Sequence, residues 1–402
     1  MAMVEDLVRS IKERSERIGR KISPEIIDAF LKVPRHLFTP RVYEEGENGE
    51  VIEHILDYNN PDPEILKKIY SDMPLAIIVK GKEVISTSSQ PFVMAFMLED
   101  AKIKKGMKVL EIGTGSGYNA AIIAQIVGDP QKVITIEIKQ EVAELARENL
   151  KRAGFEKVKV ITGDGGAGYP EEAPYDSILA TCSCPEIPWM DQLAPKGTIA
   201  FPLITRGIET LVSLQEENGI LKGSLTLFVR FLRFEGVYSA PEHFAREIRA
   251  LQRLVEKGEK RKEIMQELEE ILLQGDENEK EKREKAIKRA GFEFFLAITE
   301  PEALLYESGI KGHERGYALW HKDKDLSKSG IVVLFPDEIV LWGNKEIEKK
   351  ISRRFEEWKN LGEPGLRDYE IAFYPNETIA PLSKNQWSVP RRRGTTIFSL
   401  KK

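Results

Sequence analysis

From Met107 to about Gly236 the chain alternates short apolar runs with helix-like stretches, and this alternation limits the possible folds of its 402 residues more than any other feature. The apolar runs are "KVLEIG", "KVITIEI", "VKVITGD", "DSILATC", "GTIAFPL", "ETLVSLQ" and "LTLFVRFL", with helical spacing at 117–127, 139–153 and 186–194. Strands separated by helices pair in parallel through right-handed crossovers, which predicts a doubly wound α/β sheet. The last two runs have no helix between them and read as an antiparallel hairpin at one end.

On the N-terminal side, residues 3–45 read as helices: Ser23 is placed to cap one, Pro24 takes its first position and Pro34 ends it. The acidic, turn-rich "EEGENGEVIEHILDYNNPDPE" reads as a surface insertion, "MPLAIIVKGKEVIS" as strand around Gly81, and "QPFVMAFMLEDAKI" as a helix. Beyond the α/β region, 241–290 reads as two or three charged helices. After Gly291, "FEFFLAIT", "YALWHKD", "GIVVLFPDEIVLWG" and "YEIAFYP" read as strands, with one helix in "EIEKKISRRFEEWKNLG". The predicted organisation is an N-terminal helical, substrate-side region (1–80), a ligand-binding α/β domain (81–240), a charged helical connector (241–290) and a C-terminal α+β domain with a basic tail (291–402).

A net charge of −5 with 31% charged residues sets up no global field for nucleic acid or membrane, so any basic surface is local. Only Cys182 and Cys184 occur, too close together for a disulfide framework or a four-ligand zinc site, which suits a reducing cytoplasm. The N-terminus has no apolar core of signal-peptide length, and no stretch approaches the ~20 apolar residues that span a bilayer. His36, His54, His243, His313 and His321 show no metal-ligand spacing, and no metal is expected. Abundant Lys, Arg and Glu with few Cys and Met suit a thermophile.

The α/β region opens on "VLEIGTGSGYNAAIIAQIVG", a strand that runs into three glycines and then a helix. Glycine has no Cβ, so such a turn lets backbone approach a ligand; nicotinamide, flavin and S-adenosylmethionine (SAM) sites all use it. The downstream strands decide. Glu137 closes the next strand, 26 residues beyond Glu111, where an acid can accept both hydroxyls of a ribose. Asp164 closes the third strand in "ITGDGGAGYP", placed to accept from an adenine amino group. A dinucleotide would want the third glycine of GxGxxG, but Asn119 and Ala120 follow Tyr118 instead. The set fits a nucleoside without phosphate, and SAM is that ligand. The expected fold class is therefore α/β, a Rossmann-like SAM-dependent methyltransferase with N-terminal helices and an appended C-terminal α+β domain. The expected cofactor-binding residues are Glu111, Gly113, Thr114, Gly115, Ser116, Gly117, Asn119, Glu137, Ile138, Asp164 and Gly165.

Residues 1 to about 236 resemble the protein-L-isoaspartate O-methyltransferases: "KVPRHLF", "YSDMPLAI", "STSSQPFVMAFMLE", "VLEIGTGSGYNAAIIA", "GDGGAGYPEEAPYDSILAT" and "LFVRF" stand in that family's order and spacing. The resemblance implies SAM as methyl donor, with S-adenosylhomocysteine as product. It also implies an active-site serine at Ser89 of "TSSQP", beside the acceptor carboxylate, with Ser88 in place of the usual aliphatic residue. Ser89 equally reads as a cap of the helix that starts near Pro91. Methyl transfer to a carboxylate needs alignment and exclusion of water more than acid–base help, so Ser89 would orient rather than activate.

The chain departs from the family in three places. "TCSCPEIPW" replaces the usual small residues before a proline, so that Cys182, Ser183 and Cys184 would line the methyl-acceptor side; Arg233 stands at the usual proline; and about 165 residues are added. The tail from Lys384, "KNQWSVPRRRGTTIFSLKK", holds six basic residues and no acid, with Trp387 and Phe398 interleaved. Lys384, Trp387, Arg391, Arg392 and Arg393, together with Arg233, are expected to meet RNA through phosphates and stacked bases. The long form resembles an archaeal group of isoaspartyl-methyltransferase-like proteins that methylate the exocyclic N4 amine of a cytosine in small-subunit ribosomal RNA. On that reading carbonyl or hydroxyl acceptors, the backbone around Ser183 and Cys184 with Ser89 opposite, would hold the two amine hydrogens of an unstacked base. RNA methylation, with ribosomal RNA or a ribosomal subunit as partner, is thus the first expectation. Carboxyl methylation of isoaspartyl proteins is the second, and an inactive SAM-binding scaffold the third.

Overall fold

The computed structural model describes residues 2–46, 50–239, 266–273, 278–307, 314–321, 329–376 and 382–401. Most of the expected 241–290 connector, with His243, and also His313 lie outside them. The chain divides into two compact units. The first comprises Met1–Pro202, Leu211–Leu221 and Arg230–Ser239; the second comprises Leu203–Thr210, Lys222–Val229 and Ala240–Lys402. Among the described residues no helix is long and apolar enough to cross a membrane.

The first unit begins with α1 (Ala2–Arg17) and α2 (Pro24–Lys32). Helix does not continue to residue 45 as expected. Pro40 denies it an N–H, and β1 (Arg41–Glu45) instead pairs antiparallel with β2 (Val51–Ile55), burying Val42. The acidic insertion is thus partly a hairpin. There follow α3 (Pro63–Ile69), the antiparallel hairpin β3 (Leu75–Lys80) and β4 (Glu83–Ser88), and α4 (Pro91–Asp100).

The alternating region then gives β5 (Val109–Ile112), α5 (Tyr118–Val127), β6 (Val133–Glu137), α6 (Gln140–Arg152), β7 (Lys159–Thr162), β8 (Tyr175–Ala180) and β9 (Leu193–Thr205). These strands pair in parallel in the order β9-β8-β5-β6-β7, and every residue of β5 and β6 is buried, as strands covered on both faces require. The helix expected at 186–194 is absent. Pro185 and Pro188 lack amide hydrogens, only the short 3-10 turn Met190–Gln192 forms, and Trp189 is buried with its indole N–H on the Gly165 carbonyl at 2.7 Å. Next come β10 (Ile208–Glu217) and β11 (Ile220–Phe228), entered through two-residue turns whose central residues all have positive φ: Arg206 (46°) and Gly207 (89°), then Asn218 (54°) and Gly219 (81°).

One side chain ties the N-terminal elements of this unit together. Arg35 is fully buried, and its guanidinium donates to the carbonyls of Ile69 (2.9 Å), Ser71 (2.8 Å), Met73 (2.9 Å) and Ser89 (3.3 Å). Asp72, inside that loop, accepts from the Phe92 N–H at the start of α4 (2.8 Å) and pairs with Arg14 of α1 (2.9 Å).

In the second unit α7 (Gln266–Leu272) and α8 (Glu279–Thr299) precede an antiparallel sheet of β12 (Ala303–Glu307), β13 (Arg315–His321), β14 (Gly330–Leu334) and β15 (Ile339–Gly343). One face of that sheet, with Tyr317, Leu319, Val332 and Leu341, shares a core with Phe292, Phe295 and Leu296 of α8 and with Ile351, Phe355 and Trp358 of α9 (Glu346–Asn360). "FEFFLAIT" is therefore the buried end of a helix and not a strand. It is covered on all sides, so its residues lack the polar face that would reveal a helical period. Strands β16 (Tyr369–Pro375), β17 (Gln386–Arg391) and β18 (Gly394–Leu400) complete the unit, antiparallel in the order β17-β18-β16.

Arg35→Met is expected to strand four carbonyls without a donor and to destabilise the protein by about 3–5 kcal/mol. Urea unfolding measures this, and a loss under about 1 kcal/mol would mean the loop is held by other contacts.

Candidate active site

At the carboxyl end of β5 the chain turns sharply through Gly113 (φ 92°), Gly115 (φ 54°) and Gly117 (φ 83°) before entering α5. A Cβ on Gly113 would lie 2.7 Å from the Thr181 hydroxyl, and one on Gly115 would lie 3.0 Å from the Thr87 carbonyl, so both positions exclude side chains for want of room as well as conformation. The turn forms one wall of a cleft enclosing about 810 Å³ of space open to solvent. Ile85–Ser89, with Met94, form a second wall; Glu137–Lys139, Thr181, Cys182 and Leu232–Glu235 supply the rest.

A carboxylate beneath the turn organises it. Glu111 is fully buried behind the cleft, accepting from the Asn119 amide (2.7 Å) and from the Thr135 hydroxyl (2.6 Å), which in turn meets Thr114 (2.7 Å). Burial pushes its carboxyl up to about 7, against the pull of those two hydrogen bonds. Because Asn119 spends its N–H on Glu111, its amide oxygen is fixed as an acceptor; Asn119 lines the cleft, and that oxygen is buried without a donor. Glu137 ends β6 at the cleft and accepts from the Gly115 N–H (3.1 Å) and the Lys139 N–H (3.2 Å), while burial raises its carboxyl.

The structure brings Ser89, Gly113, Thr114, Gly115, Ser116, Asn119, Glu137, Ile138, Gly165 and Arg233 to this cleft. Other expected residues stand elsewhere. Glu111 lies behind the turn and Gly117 packs against Leu150 of α6. Asp164 accepts from the Gly166 N–H (2.8 Å) and the Val237 N–H (2.8 Å), and it is not among the lining residues. Ser183 and Cys184 do not face the acceptor side. Both are wholly buried outside the cleft lining, and their backbone is in use: the Ser183 N–H donates to the Leu232 carbonyl, its carbonyl accepts from the Phe234 N–H, and the Cys184 N–H donates to the Pro202 carbonyl. Cys182, one residue earlier, does line the cleft, half-buried, its thiol pushed well up by burial. Sequence reasoning missed Lys139, Thr181 and Glu235; a residue two positions past the ribose-site acid, such as Lys139, was the signal that pointed there.

The expected RNA-binding tail is a β-hairpin whose aromatic residues are in use. Trp387 packs edge-on against Phe295 (5.7 Å) and Tyr369 (5.9 Å), and Phe398 is fully buried, so neither can stack on a base. Arg391 donates to the Ile204 carbonyl (2.8 Å) and the Thr205 hydroxyl (2.9 Å). Lys384 is exposed just before β17, and Arg392 and Arg393 form the turn to β18.

The family described as Protein-L-isoaspartate(D-aspartate) O-methyltransferase (PCMT) matches residues 58–236. Protein-L-isoaspartate O-methyltransferase 2 of Archaeoglobus fulgidus is 36% identical over 235 residues, covering 56% of this chain and 94% of the relative. The chain belongs to the protein-L-isoaspartate O-methyltransferase family. The namesake of Hyperthermus butylicus is 38% identical over 254 residues, 60% of this chain and 91% of the relative. A solved structure described as a protein-L-isoaspartate O-methyltransferase matches with a TM-score of 0.51 at 25% identity, covering 92% of this chain and 96% of its own.

The protein is thus a SAM-dependent methyltransferase of Rossmann-like fold. The expectation of RNA methylation is overturned: the relatives at 36–39% identity carry the isoaspartyl name, and a solved structure of that name aligns over nearly the whole chain, so the added residues do not call for a ribosomal substrate. The turn fits SAM. It offers an unmet buried acceptor on Asn119, an acid at the end of β6, and glycines whose missing side chains leave backbone open to a ligand.

Protonating Glu111 removes a charge and one acceptor from beneath the turn, so SAM affinity is expected to fall as the pH drops through about 7. Stability moves the other way. With a folded value above the ordinary 4.5, this group burdens the fold fully above about 7 and is relieved as the pH falls toward 4.5. Glu111→Gln should weaken SAM binding about tenfold at pH about 8 and flatten both slopes, as read by calorimetric titration and urea unfolding on either side of neutrality.

Proposed function

We propose that this chain methylates the free carboxylate of isoaspartyl residues in proteins, using SAM. The observation that carries the reading is the position of Ser89. Thr87, Ser88 and Ser89 of "TSSQP" line the same cleft as the glycine turn, whereas Ser183 and Cys184, expected to hold a base amine, are buried outside its lining. The names of the relatives support the same acceptor.

When bound, SAM supplies an electrophilic methyl group on a sulfonium sulfur. Glu137 is placed to accept from ribose hydroxyls, since each oxygen that already takes a backbone N–H keeps a lone pair. The Asn119 oxygen is placed to accept from an N–H of the ligand, and Thr114 and Ser116 complete that wall. Asp164 serves through the shape of the Gly165 turn it caps. The Ser89 hydroxyl can donate to one oxygen of the acceptor carboxylate, leaving the other to receive the methyl group. The acceptor reacts as an anion, so no side chain has to remove a proton. Alignment and exclusion of water are the protein's contribution.

The test is transfer of radiolabelled methyl from SAM to an isoaspartyl peptide and to its ordinary aspartyl counterpart. Label on the first alone, released as methanol in mild base, is expected; absence of label, or equal label on both, would defeat the reading. Ser89→Ala should lower kcat/KM on the isoaspartyl peptide about tenfold or more while leaving S-adenosylhomocysteine affinity within about twofold.

A further inference from the structure

Residues Leu232–Val237 form a strap over the carboxyl ends of the parallel strands. At one end the strap is tied to the residues after β8: the Ser183 N–H donates to the Leu232 carbonyl and the Phe234 N–H to the Ser183 carbonyl, both at 2.9 Å. At the other it is tied to the residue after β7, through the Val237 N–H on Asp164 at 2.8 Å. In the strand order β5 and β6 lie between those anchors, and these are the strands whose ends carry the glycine turn and Glu137. Phe234 is buried against Trp189, but Glu235, midway along the strap, is exposed and lines the cleft.

The Lys139 ammonium reaches both walls of the cleft. It bonds the Glu235 carboxylate of the strap at 2.5 Å and the Ile85 carbonyl of β4, on the opposite wall, at 3.3 Å. These backbone anchors of the strap do not involve Glu235, and the pair joins the strap to an ammonium that also reaches β4. The two side chains are 29% and 54% exposed, at the water's edge, where an ion pair is weak and screened by salt. Such a contact opens readily, which suits a fastener more than a fixed wall.

We propose that Lys139 and Glu235 act as a clasp that retains the cofactor: their ion pair draws the strap toward β4 across the cleft, and its opening sets how fast SAM enters and S-adenosylhomocysteine leaves. Both are positioning residues, acting through the strap and not on the reacting atoms.

The experiment follows dissociation of S-adenosylhomocysteine from the full chain by rapid dilution or competition. At about 20 mM salt Glu235→Gln should speed release about three- to fivefold, the size of one partly exposed ion pair. At about 1 M salt wild-type release should rise to the variant's rate, while the variant stays nearly unchanged. The exchanged pair K139E/E235K should restore slow release at low salt. Wild-type rates in Glu235→Gln, or release from the wild type that ignores salt, would overturn the clasp. So would fast release in Lys139→Met with Glu235→Gln unaffected, because Lys139 would then act on Glu137 or on the ligand directly. Apo unfolding midpoints separate a damaged fold from a loosened clasp.

Discussion

A single buried guanidinium fixes the wall of the cleft that carries Ser89. Arg35 lies in the short 3-10 turn Arg35–Phe38 and reaches four carbonyls, one from the end of α3, two from the loop that follows it and one from Ser89. Burial pulls it down to about 10, which still leaves it cationic at neutral pH, and its Nε finds no partner. Burying a charge is costly, so the fold keeps it only where backbone carbonyls and a nearby carboxylate, Asp72, replace the lost water. The loop, the β4 end and the α4 start are therefore set by one planar fork and not by separate weak contacts.

Glu111 plays the matching part beneath the cofactor turn. An apolar residue there would pack more cheaply, but it would leave the Asn119 amide hydrogens without an acceptor and the amide free to flip. The carboxylate fixes which end of that amide donates and which is left to accept. Both walls of the cleft thus rest on charged groups withdrawn from water, and in each case the residue that lines the cleft, Ser89 or Asn119, is held from behind.

Much of this was legible in the sequence because the strand and helix periods of residues 107–217 are long and clean. The glycines and Glu137 fall where those periods place them, whereas Ser89 was reached through the resemblance of "TSSQP" to the family. Other features escaped for physical reasons. A helix end buried on every side, as in "FEFFLAIT", has no polar face to betray its period, and two prolines in "CPEIPW" outweighed a helical pattern. Ser183 and Cys184 escaped because the partners that occupy the Ser183 backbone, Leu232 and Phe234, come from a distant stretch of the chain. The basic tail misled in the same way: its composition suggested a surface for RNA, but pairing between β17 and β18 commits Trp387 and Phe398 to a core. Lys139 and Glu235 are brought together only by the tertiary fold.

Strands β9, β10 and β11 run 13, 10 and 9 residues, against 4 to 6 for the four strands β5 to β8. The chain changes unit after Pro202, Thr210, Leu221, Val229 and Ser239, and the first four of these crossings fall within or just beyond these long strands. The second unit therefore owns stretches of chain that precede the end of the family match at residue 236. A gene cut at that point would still encode two strand segments belonging to a missing neighbour. The C-terminal region is accordingly no detachable cassette, because neither unit can be lifted out of the gene as one uninterrupted piece.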